Sequence, residues 1–377
     1  MATAQRPGIP LGKVLGVPIW LAPSWFVVAA VVIVIFEPTV ARATDVGRPA
    51  TFGVAALFVL LLLVSVLLHE LAHAAAALAF GMPVKEIVAT LWGGHTQFED
   101  HAPTPARSAT VAVVGPLANA VLAVVGWLAL SQVDAGVTRL LLLALVVTNG
   151  FVAVFNMAPG LPLDGGRVVE SAIWAVTGRR WTGTLVAGWI GRAVAVAVLV
   201  WALVLPLLNQ RMPDLFTAVW SMLIAGMLWQ GATGAIEVSR MHTTAGRLEL
   251  ARYTTPAVAS PTYSASWQDV PAGHVVAVDD SGRPVGVLFA DSREHLRTST
   301  SSTGQPPQGT PLSAVMTVLD PVVTLPATTS GSDVLSALAT KPAHVYVVVD
   351  SHGEVVGLAQ GQELADAVTR RTPTSAR

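Results

Sequence analysis

Charged residues are scarce in this chain of 377 amino acids. They make up 12% of the sequence, against about 25% in an average soluble protein. Hydrophobic residues make up 53%, and the mean hydropathy is +0.61. So few polar side chains cannot cover an ordinary soluble surface, and the composition therefore predicts an integral membrane protein.

Cysteine is absent altogether, and basic residues are not in excess. Without cysteine the chain has no disulfide bonds and no thiolate ligands, so a metal ion would have to be held by histidine and carboxylate groups. The net charge of −1 gives no electrostatic reason to expect nucleic acid as a partner. No apolar run precedes Ile19, so we expect no cleaved signal peptide.

Long apolar runs occupy most of the first 240 residues. A helix needs about 20 such residues to cross a bilayer. The positions of the arginines favour cytoplasmic N- and C-termini under the positive-inside rule, and the composition is compatible with a bacterial inner (plasma) membrane. Six spans are predicted, at residues 19–36, 52–80, 109–130, 140–155, 193–208 and 215–238.

The second apolar run contains three ionisable side chains within five residues, His69, Glu70 and His73. Two histidines four positions apart lie on one helix face and can bind one metal ion, and the glutamate beside the first can deprotonate metal-bound water. Ionisable groups at bilayer depth are costly and mark functional sites. The pattern predicts a zinc site for peptide hydrolysis; the alternative is a chance match with hydrogen-bonded core histidines.

Residues 84–105 alternate in hydrophobicity around Gly93 and Gly94, which predicts a small β-hairpin at or near the membrane surface. A strand edge there could pair with an extended substrate peptide, so we assign substrate positioning to both glycines and to His95. His95 and His101 lack helical metal spacing to the paired histidines, and the alternative for both is a solvated loop residue.

Asn119 is a polar residue within the third predicted span. It either orients a catalytic group, and so helps to position the substrate, or forms a hydrogen bond with a neighbouring helix. The residues alone leave both possibilities open.

The fourth span runs into a segment that proline and glycine prevent from being a continuous helix. Irregular backbone near membrane depth is tolerated only where it is buried in protein or lines a wet cavity. Asp164 in this segment is therefore the third predicted zinc ligand. The alternative is that Asp164 caps the helix that begins near Gly165.

Three motifs together resemble the site-2 protease family of intramembrane zinc metalloproteases. They are the His-Glu-x-x-His in a span, Gly-Pro-x-x-Asn at 115–119, and Asn-x-x-Pro-x-x-x-x-Asp-Gly at 156–165. The resemblance covers roughly residues 10–240. It implies cleavage of a membrane protein with one transmembrane helix, such as an anti-sigma factor, after a first cut by another protease.

The resemblance also implies roles for individual residues. His69, His73 and Asp164 would bind one Zn²⁺ per chain, and Glu70 would be the general base. Asn156 would be a second catalytic residue, which positions the substrate or stabilises the oxyanion.

Beyond about residue 240 the sequence changes to short β-branched runs broken by proline, glycine and serine. We expect a protease domain at 1–240, a linker at 241–255 and a soluble regulatory domain at 256–377. Stretches that begin at His274 and Val345 repeat the order strand, Asp-containing turn, strand. This repeat resembles a pair of CBS modules.

A CBS pair implies a regulatory module over the cytoplasmic mouth of the protease and a homodimer formed through the modules. Such pairs often bind adenine nucleotides through a threonine and an aspartate after the last strand. Here the matching positions hold Phe289, Ser292, Gln360 and Glu363, which argues against a nucleotide ligand. A structural cap without a ligand is the alternative.

The predicted fold class is an α-helical polytopic membrane protein with about six transmembrane helices and a membrane-associated β-hairpin, followed by a cytoplasmic α/β CBS-pair domain. The predicted function is intramembrane zinc proteolysis regulated by that domain. A zinc transporter or metal sensor with a CBS gate is the alternative from another class, although it does not explain Glu70 beside His69. A catalytically inactive homologue that only binds substrate is a third possibility.

Overall fold

The computed structural model describes residues 8–90, 93–98, 104–246, 248–263, 265–298 and 309–369. The chain divides into two compact units, Met1–Glu237 and Val238–Arg377. The predicted domain bounds stay a prediction. The stretch predicted as a linker, however, contains regular structure, because a 3₁₀ helix at Leu250–Tyr253 buries Leu250 in the core of the second unit.

Among the described residues, six helices are long and apolar enough to cross a membrane, which confirms the predicted number of spans. The second span has 32 residues and is therefore longer than the roughly 20 that a bilayer requires. In chain order the spans are α1 (Trp25–Ala43), α2 (Arg48–Ala79), α3 (Pro105–Leu130), α4 (Gly136–Asn156), the Arg180–Leu208 span and the Leu215–Ala245 helix.

A shorter helix, α5 (Asp164–Thr177), lies between the fourth and fifth spans. The fifth span consists of α6 (Arg180–Leu199), a π-helical stretch (Val200–Val204) and α7 (Leu205–Leu208). The sixth span is α8 (Leu215–Ala245). The helix of the fifth span therefore begins at Arg180, well before the predicted start at residue 193.

The first unit also contains a four-stranded sheet, of which the sequence predicts only the hairpin of residues 84–105. Its strands are β1 (Ile9–Val14), β2 (Val17–Leu21), β3 (Val84–Thr90) and β4 (Gly93–Phe98), in that order across the sheet. The prediction that a helix starts at Ile19 is wrong, because Ile19 pairs with Ile87 in a parallel ladder and α1 begins at Trp25. Pairing with a strand distant in sequence overrides the local apolar pattern.

The predicted hairpin of residues 84–105 is formed by β3 and β4. Its turn is displaced from the predicted position, because Gly93 pairs with Thr90 and Gly94 pairs with Ala89, so both glycines belong to β4. His95 follows them on the same strand, opposite Val88. The connecting residues 91–92 lie outside the described residues.

The irregular segment between α4 and α5, residues 157–163, packs directly against α6. The backbone N–H of Leu161 donates a hydrogen bond to the oxygen of Ala187 at 3.1 Å. Gly191, one turn further along α6, lies so close that a Cβ atom there would overlap the oxygen of Leu161. On α8, a Cβ atom at Gly231 would lie 2.6 Å from Cγ of Pro162. Glycine is needed at Gly191 because the contact is with backbone, which cannot move aside.

The second unit is built on one mixed sheet of seven strands in the order β8-β7-β6-β5-β11-β10-β9. Strands β5 and β11 pair at its centre. The strands are β5 (Thr255–Pro261), β6 (His274–Val278), β7 (Pro284–Leu288), β8 (Thr317–Val318), β9 (Val323–Pro326), β10 (Val345–Val349) and β11 (Val355–Gln360).

The predicted internal repeat is present in this sheet. Strands β5, β6 and β7 pair in parallel and then antiparallel fashion, as do β9, β10 and β11. Equivalent aspartates form the two hairpin turns: Asp279 Oδ1 accepts a hydrogen bond from the backbone N–H of Arg283, and Asp350 Oδ1 accepts one from Glu354, both at 2.9 Å. A hydrogen bond from the Ser281 hydroxyl and the one from Arg283 hold the pKa of Asp279 below its usual value, and the backbone N–H groups of Glu354 and His352 do the same for the pKa of Asp350.

Replacement of Gly191 by alanine should disturb the packing of residues 157–163 against α6. We expect the free energy of unfolding in detergent to fall by about 1–3 kcal/mol, the usual cost of overpacking a tight contact. Gly226→Ala in α8 is the matched control, because a Cβ atom at Gly226 would meet nothing within 4 Å. Denaturant titration followed by circular dichroism measures both variants, and equal effects would contradict the packing argument.

Candidate metal centre

His69 and His73 lie one turn apart on α2, and both side chains are buried. Their Nε2 atoms are 3.1 Å apart. A spacing of four residues on a helix brings the two rings to the same face, as the sequence predicts. The two imidazoles therefore converge on one point.

Asp164 is the first residue of α5, and its carboxylate points at the two histidines. Its Oδ2 atom lies 3.3 Å from His69 Nε2 and 3.4 Å from His73 Nε2. The N-cap position of α5 is occupied by Leu163, so Asp164 does not cap this helix. Residues 157–163, which pack against α6, place Asp164 next to the two histidines of α2. Asp164 is far from these histidines in the sequence.

The three candidate ligand atoms, Nε2 of His69, Nε2 of His73 and Oδ2 of Asp164, form a nearly equilateral triangle, the ligand triangle, with sides of 3.1, 3.3 and 3.4 Å. Atoms that bind zinc tetrahedrally at about 2.0–2.1 Å lie about 3.3 Å from one another. Two histidines and one carboxylate also form a known ligand set of catalytic zinc, which leaves a fourth position open. In the described part of the chain, this is the group of three metal-ligating side chains that converges, and the geometry of the group fits zinc.

A hydrogen-bond chain determines which nitrogen of His69 carries its proton. The Leu145 oxygen can only accept, so Asn149 Nδ2 donates to it at 2.9 Å and Asn149 Oδ1 faces Asn119. Asn119 Nδ2 donates to that oxygen at 2.7 Å, which turns Asn119 Oδ1 toward His69 Nδ1 at 2.5 Å. Because Oδ1 can only accept, His69 Nδ1 carries the proton, and Nε2 keeps a lone pair for a metal.

The other histidine is oriented more directly. His73 Nδ1 donates to the backbone oxygen of Val111 on α3 at 2.6 Å. A backbone oxygen cannot donate, so Nε2 of His73 also keeps its lone pair. In the neutral form of each imidazole, the metal-facing Nε2 is therefore the nitrogen that keeps the lone pair, as a zinc ligand requires.

A cavity of about 840 Å³ opens beside the triangle. Glu70, which is 5% exposed, lines this cavity together with Asn119 and Asn156. Thr90, the strand partner of Gly93, lines it as well. The structure therefore brings these three predicted site residues to the ligand triangle and places one end of the hairpin beside them.

Gly94 lies one residue further along β4 than Gly93, and of His95 only the backbone is described. His101 lies outside the described residues.

Sequence reasoning missed Ser65 and Asn149, which complete the hydrogen-bond chain. Asn149 Nδ2 lies 3.2 Å from Ser65 Oγ, and both residues are buried. The available signal was helical spacing: Ser65 precedes His69 by four positions, and Asn149 precedes Asn156 by seven. Polar residues in an apolar span that repeat at these intervals share a helix face with the predicted site residues.

Two protein-family models match the chain. Peptidase family M50 matches residues 57–135 and 131–201, a range that includes the His-Glu-x-x-His motif and Asp164. The CBS domain matches residues 312–368, which contain the second copy of the repeat.

Three curated proteins are similar to this chain in sequence. Two of them, sll0528 of Synechocystis sp. and Rip3 of Mycobacterium tuberculosis, carry the name "Putative zinc metalloprotease". The protein sll0528 is 28% identical to this chain, over 93% of this chain and 92% of its own length. Rip3 is 31% identical, over 52% of this chain and 51% of its own length. Zinc metalloprotease MJ0392 of Methanocaldococcus jannaschii is 28% identical over 52% of this chain and 54% of its own.

This chain therefore spans about half the length of Rip3 and MJ0392 but almost all of sll0528. The matches, the six apolar helices and the converging histidines agree with one another. Residues 57–201 are similar to peptidase family M50, and residues 312–368, in the second unit, are similar to the CBS domain; both similarities agree with the resemblance to zinc metalloproteases of the site-2 protease type.

Proposed function

We propose that this protein hydrolyses peptide bonds of single-span membrane proteins within or beside the membrane. His69, His73 and Asp164 would hold one Zn²⁺, and Glu70 would be the general base. The observation that carries the proposal is the ligand triangle, which faces a cavity among spanning helices and has a buried glutamate next to one ligand.

Zinc bound by these residues would supply an activated water molecule and polarise the scissile carbonyl group. Glu70 then holds the proton removed from water and passes it to the leaving amine. Asn156, at the end of α4, lines the same cavity and can donate an amide hydrogen bond to the scissile carbonyl oxygen. Neutral His69 and His73, each fixed through Nδ1, keep the ligand nitrogens in place during this proton transfer.

A substrate helix must unwind locally before its amide groups can reach the site, because helical amides are hydrogen-bonded to one another. Strand β4 lies at an edge of the four-stranded sheet and begins beside the cavity. Its free edge can pair with an extended substrate segment, with Gly93 and Gly94 permitting close approach and His95 beside them. We place Asn119 behind the metal ligands as a positioning residue.

The similarity to peptidase family M50 supports a proposal for the biological setting. We infer a multi-pass protein of the bacterial inner membrane, with both termini and the active site toward the cytoplasm. Its substrate would be a single-span protein, such as an anti-sigma factor, already cut once by another protease. The domain at 256–377 would regulate the protease domain at 1–240 and form a homodimer. Without the usual threonine and aspartate, no adenine nucleotide is expected there.

Glu70→Gln should retain zinc and lose at least a hundredfold in cleavage rate, because the amide cannot accept the proton from water. The assay is cleavage of a panel of tagged single-span membrane proteins by purified protein, with zinc content measured in parallel. Glu237→Gln, an exposed position on α8, is the matched control and should cleave at the wild-type rate. A zinc-loaded Glu70→Gln protein that cleaves normally would rule out this general base.

Asp164→Asn should lower zinc affinity by at least about a hundredfold, because loss of a direct ligand costs more than loss of an outer partner. Competition with a chelator measures the affinity, and elemental analysis should give one zinc per wild-type chain. Asp214→Asn, in the loop before α8, is the control. Unchanged zinc content in Asp164→Asn would reject Asp164 as a ligand.

Asn149→Leu should lower the zinc affinity by about tenfold, the usual effect of losing a hydrogen-bond partner behind a metal ligand. The effect acts through Asn119, which orients His69. The Asn149→Leu, Asn119→Ala double variant should lose no more affinity than Asn119→Ala alone, because both act on one hydrogen bond. Asn149→Asp, which keeps the acceptor oxygen, should recover most of the affinity.

Asn209→Leu is the matched control for Asn149→Leu, since Asn209 also donates to the carbonyl four residues earlier but lies on an exposed turn. Additive losses of zinc affinity from the Asn119 and Asn149 variants would show that Asn149 only supports helix packing.

A further inference from the structure

Helix α6 carries two arginines that each lie against two tryptophan rings, and one of the two has a carboxylate partner. The guanidinium carbon of Arg180 lies 5.8 Å from the ring of Trp174 and 5.4 Å from that of Trp181. Its Nε atom donates to Oε1 of the buried Glu170 at 3.1 Å. This arginine therefore has a complete set of partners: two ring faces and a negative charge.

The second arginine, Arg192, has the same surroundings without the negative charge. Its guanidinium carbon lies 4.9 Å from the ring of Trp189 and 4.8 Å from that of Trp229. Nη2 donates to Oγ1 of Thr233 on α8 at 2.9 Å. Nε is buried without a partner, and no carboxylate of the described residues forms an ion pair with Arg192.

An arginine in a spanning helix normally has a counter-charge, because an unpaired cation away from water is costly. Ring faces compensate a guanidinium only in part. Thr233 offers a neutral oxygen, which occupies one of the five N–H groups of the guanidinium. Arg192 therefore has unused donors in the planar arrangement that suits a phosphate.

The surroundings of Arg192 indicate where the missing anion comes from. Trp189 is 50% exposed and Trp229 is 46% exposed, so the cage is open on the outer surface of the helices. That surface belongs to two of the described helices that are long and apolar enough to cross a membrane, so lipid would be its neighbour. Side chains on a helix point toward its N-terminus, so Arg192 reaches back toward the bilayer face at which Arg180 lies.

We propose that Arg192 binds the phosphate group of an anionic phospholipid, with Trp189 and Trp229 framing the headgroup and Thr233 holding the guanidinium in place. The lipid belongs to the leaflet nearer the N-terminus of α6. Binding there does not require that the protein cleave peptides.

The position of this lipid site connects it to the metal centre. Gly191 precedes Arg192 and packs on the oxygen of Leu161, while Gly231 on α8 packs on Pro162. A headgroup bound to Arg192 strengthens the α6–α8 contact on both sides of the segment that carries Asp164. Lipid composition would thereby alter the rigidity of one metal ligand.

The experiment uses the purified full-length chain in a neutral detergent. Native mass spectrometry measures the affinity for phosphatidylglycerol, with phosphatidylcholine and inorganic phosphate as the comparison ligands. We expect one tight phosphatidylglycerol site in the wild type that binds at least about tenfold more weakly in Arg192→Gln, as loss of charge-assisted hydrogen bonds predicts. Arg179→Gln removes the same charge at an exposed position just before α6 and should bind as the wild type does.

Three results would overturn the proposal. They are equal phosphatidylglycerol affinity in Arg192→Gln and wild type, equal affinity of the wild type for phosphatidylcholine, and displacement of the lipid by millimolar inorganic phosphate, which would identify a free anion as the ligand.

A second measurement needs no variant and covers the case in which Arg192→Gln fails to fold. Phenylglyoxal modifies accessible arginines, and peptide mass spectrometry reports its rate at each site. In the wild type, phosphatidylglycerol should slow the modification of Arg192 several-fold relative to phosphatidylcholine and leave Arg179 unchanged. An equal rate at Arg192 in the two lipids would refute the lipid site.

Discussion

Two backbone oxygens that can only accept hydrogen bonds orient the metal centre. The oxygen of Leu145 acts on His69 through Asn149 and Asn119, and the oxygen of Val111 acts on His73 directly. Little water is available to polar groups among spanning helices, so each group needs a hydrogen-bond partner within the protein. The same bonds that satisfy these groups therefore select the tautomer of each neutral imidazole, and they tie α3 and α4 to α2.

The position of Asp164, the third candidate ligand, depends on a different constraint, which is close contact between backbones. Residues 157–163 cannot be helical, and an irregular segment among spans must be buried against protein. Glycine at Gly191 lets α6 approach the Leu161 oxygen, and Gly231 makes room for Pro162. Asp164 thus begins α5 facing the histidines, although it lies far from them along the chain.

The two arginines of α6 differ in whether a carboxylate of the protein compensates their charge. Arg180 is matched by Glu170 and is satisfied within the fold. Arg192 has equivalent ring contacts and a threonine, and its buried Nε has no partner. A lipid phosphate would supply the missing charge, and it would do so next to the helix contacts that carry Asp164.

The sequence alone determined the membrane class, the six spans, the His69–His73 pair and the repeated strand pattern of the second unit, because each follows from composition or from spacing within one element. It did not reveal that Ile19 belongs to a strand, since that depends on pairing with Ile87. It also did not reveal that Gly93 and Gly94 lie in β4 or that Asn149 orients Asn119. These features arise from contacts between segments distant in the chain, which only the tertiary structure brings together.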